Sequence, residues 1–139
     1  MRILVQKYGG SSVADLDRIR NVARRVRGSL GRADRLVVVV SAMGKTTDSL
    51  IAMASALTPL PDRREMDQLL ATGEQVSVAL LSIALQAEGV RALSLTGPQA
   101  GIRAAGFHTE GRICDLDPSR VLEAFDRGFE VVVVAGFQG

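Results

Sequence analysis

The chain has 139 residues, enough for one domain with a real core and too short for two ordinary ones. Hydrophobic residues at 47% and charged residues at 23% mark a globular protein and exclude the disordered and fibrous classes, and with no Trp there are few candidates for stacking on bases. Lys and Arg exceed Asp and Glu by 17 − 15 = 2, and the single Cys114 excludes an internal disulfide and fits a reducing compartment.

The opening run Ile3 to Gln6 is short and apolar between Arg2 and Lys7, which suits a central strand buried on both faces. It reaches charge and glycine too soon for a secretory signal, so a cytoplasmic protein is expected. Lys7-Tyr8-Gly9-Gly10-Ser11-Ser12 then reads as a strand end, an anion cradle and a helix start. Gly9 and Gly10 are able to adopt positive φ and let a ligand approach the backbone N–H groups, while Ser12 suits an N-cap with Asp15 three residues on. A phosphate is the natural occupant above such a helix start, with Lys7 adding a mobile charge; the alternative is a plain glycine turn closing a βα unit.

Val13, Leu16, Ile19, Val22, Val26 and Leu30 form a helical stripe, ended by Gly28 and Gly31. The arginines from Arg18 to Arg35 read as the solvated face of that helix rather than as a nucleic-acid footprint, since no base-reading partner accompanies them. Leu36 to Val40 is a β-branched second strand, completing a βαβ unit that requires a parallel sheet. Ser41-Ala42-Met43-Gly44-Lys45-Thr46-Thr47-Asp48 follows at a strand's carboxyl end, where ligands of open α/β sheets collect. It is not a P-loop, which needs a glycine where Val39 stands; Thr47 or Asp48 is expected to cap the next helix.

Leu50 to Leu57 continues helically and the Pro59-Leu60-Pro61 turn ends it. A second helical region from Arg64 towards Leu70 is expected to break at Thr72-Gly73-Glu74, followed by a helix from Val76 to Leu85 that is apolar nearly all round, with Gly89 at its end. Glu74 would then start a buried helix, either complementing its dipole or facing a cavity to bind a cation. Ala92 to Thr96 is a third strand, Gly101 to Cys114 a small antiparallel excursion carrying His108, and Asp117-Pro118 a helix start, with Gly128 ending that helix. Glu130 to Ala135 is the fourth strand of the main sheet. His108, lacking a second His, cannot build a protein-only metal site. The runs Leu36 to Val40 and Val131 to Ala135 are too short to cross a bilayer, so no membrane partner is expected. Gly136 to Gly139 follows the last strand directly, which predicts a truncated domain whose Val131 to Ala135 edge is uncovered and prone to strand pairing between chains.

Taken together, Lys7 to Ser12, Val39 to Asp48, Arg64-Glu65-Met66-Asp67 with Gly73-Glu74, Leu95 to Gly101 and Ala135 to Gly139 resemble the aspartate kinases, in that order and at family-like spacing along the whole chain. The resemblance implies the amino-acid kinase fold, a three-layer αβα sandwich on a mostly parallel sheet, of which residues 1–139 would be the N-terminal portion, without the ATP-side half and the regulatory ACT domains. It implies ATP-dependent phosphorylation of the β-carboxylate of L-aspartate, the entry to lysine, threonine and methionine synthesis, with Mg2+ held mainly by the nucleotide. By the same resemblance Lys7 would neutralise the transferring phosphoryl group. Tyr8, Gly9, Gly10, Ser11 and Ser41 would line the phosphate site. Ser41 and Thr47 would meet the aspartate carboxylates among Lys45, Thr46 and Asp48, and Glu74 would meet its ammonium. A homo-oligomer is expected. The sequence departs from the family at Arg103-Ala104-Ala105-Gly106, where a Thr and often an acid are usual. Two other readings are a different phosphotransferase of the same fold and a non-catalytic fragment; the Ser41 to Asp48 loop and Glu74 favour aspartate.

Overall fold

The computed structural model describes residues 1–105 and 112–136. His108 and the segments 106–111 and 137–139 lie outside them, as do the side chains of 104, 105 and 112–115. In chain order the elements are β1 (Ile3–Tyr8), a 3₁₀ turn (Gly10–Val13), α1 (Leu16–Ser29), β2 (Arg35–Val40), α2 (Thr46–Leu57), α3 (Arg63–Ala87), β3 (Ala92–Leu95), β4 (Ile102–Ala105), β5 (Arg112–Leu116), α4 (Ser119–Asp126) and β6 (Val131–Ala135). β1, β2, β6 and β3 form one parallel sheet in that spatial order, and β4 with β5 forms the expected separate antiparallel pair.

The sheet is the middle of three layers. Leu36, Val38 and Val40 of β2 pair with Val131, Val133 and Ala135 of β6 and turn to the face covered by α1 and α3. Val132 and Val134 turn the other way, onto Ala124 and Phe125 of α4. A strand buried on both faces needs an unbroken apolar run, which is why β6 is nearly all valine.

That placement corrects two expectations. β6 sits between β2 and β3 with every residue buried, so it is no uncovered edge. The edges are instead β3 and β1, the latter expected to be central, where Val5 is 63% exposed. The signal that misleads is local: an apolar strand reads alike at the centre and at an edge.

α1 begins one residue after Asp15, whose carboxylate accepts from the Arg18 N–H at 2.8 Å; Asp15, not Ser12, is the N-cap. Ile19, Val22, Ala23 and Val26 are buried, whereas Leu16 is exposed, and Gly28 lies within the helix. The arginines occupy the solvent face, Arg20 pairing with Asp17 and Arg24 and Arg27 with Glu88. α3 runs unbroken for 25 residues, with no interruption at Thr72-Gly73-Glu74. Only one of its faces is buried: Val78, Leu81 and Leu85 pack inward while the equally apolar Val76 and Ile83 are exposed, so contrary to expectation the helix is not buried all round. By length and composition α3 could span a bilayer, yet its buried face is engaged by the sheet. Gly89 at φ +81 ends it in a Schellman arrangement, with its N–H on the Gln86 carbonyl and that of Val90 on the Leu85 carbonyl. Gly128, at φ +95, ends α4 in the same way.

Candidate functional site

Because all four strands of the main sheet are parallel, Tyr8, Val40, Ala135 and Leu95 end on one side, and the loops that follow them share it. Two of those loops are tied directly. The Gly44 N–H donates to the Gly10 carbonyl at 3.0 Å and the Ser41 N–H to that of Tyr8 at 3.3 Å. A glycine at 10 suits this approach: a Cβ there would lie 3.1 Å from the Ala42 carbonyl oxygen, closer than ordinary contact. The left-handed backbone belongs to Gly44, at φ +46, and not to Gly9, which is extended, or Gly10. The space a Gly9 Cβ would enter is open, so a ligand can approach that backbone closely. A third strand joins through the Gly136 N–H, which donates to the Val40 carbonyl at 2.8 Å.

α3 reaches the same edge by contact. A Cβ on Gly73 would stand 3.1 Å from the Ala42 Cβ and 3.2 Å from the Thr46 Cγ2, so a glycine lets the helix lie against the loop after β2. Glu74 is the next residue, 6% exposed and in the interior of a continuous helix. A carboxylate there cannot complement a helix start, because the dipole's effect fades within the first turn. Of the two readings open in the sequence, the helix-start one is removed.

Strand alternation divides the remaining groups. Gln6 and Tyr8 face α1: the Tyr8 hydroxyl donates to Gln6 Oε1 at 3.2 Å, and Gln6 Nε2 to the buried Ser29 Oγ at 2.9 Å. Lys7 therefore leaves the opposite face, exposed, beside Val39. Ser41, Thr46 and Thr47 are half-buried, and Gly9, Ser11, Lys45 and Asp48 exposed. Lys45 stands at the N-cap position of α2, and neither Thr47 nor Asp48 caps it, both lying inside the first turn. No hydrogen bond or ion pair among the described residues engages the side chains of Lys7, Ser41, Lys45 or Thr47. The edge thus gathers glycine backbone, hydroxyls, two lysines and one buried carboxylate, a set suited to an anion together with a substrate that carries both charges.

Two residues are given no site role by the reading of the sequence. Asp67 is 4% exposed, seven residues before Glu74 and so near the same helical face. That spacing is readable once α3 is taken as continuous. Arg18 reads as surface charge, yet its guanidinium donates to the Ser11 carbonyl inside the glycine loop.

The chain is 50% identical over 139 residues to aspartokinase 2 of Bacillus subtilis, the match covering all of this chain and 34% of that protein. The crystal structure of aspartate kinase from Synechocystis superposes with a TM-score of 0.82 at 50% identity, over 99% of this chain and 22% of that one. Aspartokinase III of E. coli, crystallised with aspartate and ADP, shares the fold at a TM-score of 0.82 and 20% identity, over 97% of this chain and 40% of that one. The chain thus spans about a third of the length of the aspartokinases it matches in sequence. Residues 2–139 match the model of the amino acid kinase family, and with the parallel sheet, the tied glycine loops and these likenesses in view, the chain belongs to that family.

Proposed function

We propose that the chain is the N-terminal part of an aspartokinase catalytic domain and carries the phosphate cradle and the aspartate-binding residues. The observation that bears most weight is the convergence on one edge of the loop after β1, the loop after β2 and the Gly73-Glu74 step of α3. In this reading the Gly9, Gly10 and Ser11 backbone, beside Tyr8, holds phosphate oxygens, and Lys7 neutralises the group in transfer. Ser41 and Thr47 meet the two carboxylates of L-aspartate among Lys45, Thr46 and Asp48, and Glu74 meets the ammonium.

A β-carboxylate oxygen of aspartate would form the new bond to the γ-phosphorus of ATP as the bond to the β,γ-bridging oxygen breaks, its electron pair leaving on ADP. The aspartate carboxyl, with an ordinary pKa of about 3.9, is already ionised near neutrality. No proton has to be removed, so the site needs no general base, and positioning with charge neutralisation suffices. The gathered groups suit such a transfer, with open space over Gly9, an unengaged cationic Lys7 and hydroxyls on the neighbouring loop. Mg2+, held mainly by the nucleotide, would supply further charge neutralisation.

The product, 4-phospho-L-aspartate, would open the route to lysine, threonine and methionine in the cytoplasm, with the enzyme working as a homo-oligomer. Residues 1–139 alone are not expected to turn over, because in-line transfer needs donor and acceptor fixed together and proximity supplies roughly 7–11 kcal/mol of the barrier lowering. The test is hydroxylamine trapping of aspartyl phosphate by the full-length protein and by this chain side by side. Hydroxamate from the full-length protein with aspartate and ATP supports the reading. Its absence with aspartate, alongside turnover of another acceptor, would replace it with a different phosphotransferase, and vigorous turnover by the 139-residue chain would overturn the incomplete site.

A further inference from the structure

Arg18 stands in the first turn of α1, and its guanidinium donates to the Ser11 carbonyl at 2.7 Å. That carbonyl belongs to the peptide between Ser11 and Ser12, whose N–H donates to the Gly9 carbonyl at 3.1 Å. One peptide unit of the glycine loop is therefore held at both ends. Since the unit is planar and rigid, fixing its two polar atoms fixes its orientation. The clamp has its own support: the Asp15 carboxylate that caps α1 through the Arg18 N–H also lies 3.8 Å from the Arg18 guanidinium. The side chain thus leaves a backbone and returns to a carboxylate that are both already placed.

The direction of this hold matters to a phosphate. A carbonyl oxygen carries partial negative charge, and one left free in an anion cradle can rotate to oppose its ligand. A charge-assisted bond to guanidinium keeps the Ser11 oxygen engaged by α1. A recess of about 220 Å3, walled by Ser11, Ser12, Asn21, Val22, Arg25 and Arg18 itself, leaves room beside the loop into which a released peptide could swing.

We infer that Arg18 is a positioning residue for the phosphate cradle: it touches no reacting atom, and it orders the Ser11–Ser12 peptide so that the preceding N–H groups keep facing the anion. The inference rests on the phosphate role proposed above for Gly9, Gly10 and Ser11.

In the full-length protein, Arg18→Ala should lower kcat by about ten- to a hundredfold while the KM for aspartate moves less than about twofold, the signature of a misplaced transfer site with an intact acceptor pocket. Millimolar guanidinium ion should restore part of the loss, and Arg18→Lys should fall between, because an ammonium can reach the carbonyl without reproducing the planar fork. Arg20→Ala, which removes only an exposed pair with Asp17, is the control. Hydrogen exchange of the Ser12 amide supplies a readout independent of turnover: it should quicken in Arg18→Ala, with β6 amides unchanged. Arg18→Ala kinetics matching those of Arg20→Ala in an active protein, or unaltered Ser12 exchange, would overturn the inference. Wild type unable to phosphorylate aspartate would defeat the proposed function instead, and the Ser12 exchange would still decide this one.

Discussion

The two ends of the parallel sheet are built on different terms. At the amino-terminal end, side chains serve the fold. The Arg2 N–H donates to the Asp34 carboxylate and the Arg91 N–H to that of Glu130, while the Arg91 guanidinium lies 5.1 Å from the centre of the Phe129 ring. At the carboxyl end the loops after β1, β2 and β6 are tied to one another through backbone, Gly44 to Gly10 and Gly136 to Val40, and among the described residues the side chains of Lys7, Ser41, Lys45 and Thr47 are left unengaged. The difference teaches where each kind of change will register. Substitutions at the carboxyl end should alter catalysis with little loss of stability, and those at the other end should do the reverse.

The largest effect that would break this division is expected at Lys7. If its charge serves the transition state, Lys7→Ala in the full-length enzyme lowers kcat by about 10²-fold or more at near-normal aspartate binding and an unchanged melting temperature. Near-normal turnover in steady-state kinetics would remove Lys7 from the mechanism.

Next in size is Glu74→Gln, isosteric and inside α3. If Glu74 meets the aspartate ammonium as proposed, losing that charged partner should raise the KM for aspartate roughly tenfold or more, the worth of one charge-assisted hydrogen bond, and leave that for ATP in place. Equal damage to both constants, or a fall in helicity by circular dichroism, would make Glu74 a structural group.

Gly89→Ala sharpens the other half of the comparison. At φ +81 with open space around the added methyl, only backbone strain is introduced, about 1–2 kcal/mol, so chemical denaturation should report a lower midpoint while kinetic constants hold. A kinetic defect here would show that the two ends are coupled.

The smallest effect should be at Asp117, which introduces α4. Its carboxyl lies below the ordinary value of 3.8, chiefly because it accepts the Ser119 backbone N–H at 3.0 Å, with the Ser119 side chain adding to this and slight desolvation opposing it. A depressed folded-state pKa adds stability that is present above 3.8 and lost as pH falls through the folded value. The melting-temperature gap between wild type and Asp117→Ala should therefore be constant near neutrality and close below that point. A gap that persists unchanged in strong acid would mean that the carboxylate charge contributes nothing.

Much of this is legible in the sequence because it is local. The glycine turn after β1, the β-branched run of β2, the antiparallel excursion, and Gly89 and Gly128 as helix stops are each written in a few adjacent residues. What the sequence hides depends on partners far along the chain. Ile3 to Gln6 looks central until β1 is seen at the edge, and Val131 to Ala135 looks terminal until β6 is seen threaded between β2 and β3. Gly73 reads as a helix breaker, since glycine costs about 1 kcal/mol there. The cause of the glycine is contact with Ala42 and Thr46, roughly thirty residues earlier, which no local window contains. Misreading Gly73 also splits α3, and with it the spacing that relates Asp67 to Glu74.

The valines of β2 and β6 also bear on how the chain finds its alignment. Val37 to Val40 lies against Val132 to Ala135, so a slide by one residue would set valine against valine almost throughout. On a strand with one wet face such a slide exposes the core, but β6 is buried on both faces and carries no such sanction. The address must come from the ends of the run: the Leu36 N–H on the Glu130 carbonyl at 3.0 Å and the Gly136 N–H on that of Val40 at 2.8 Å. Gly136 disfavours a slide that would bring Ala135 into its place, since a Cβ there would stand 3.1 Å from the Val40 oxygen, closer than ordinary contact. The glycine that helps close the carboxyl edge thus also acts as the stop against which an otherwise featureless strand is counted into place.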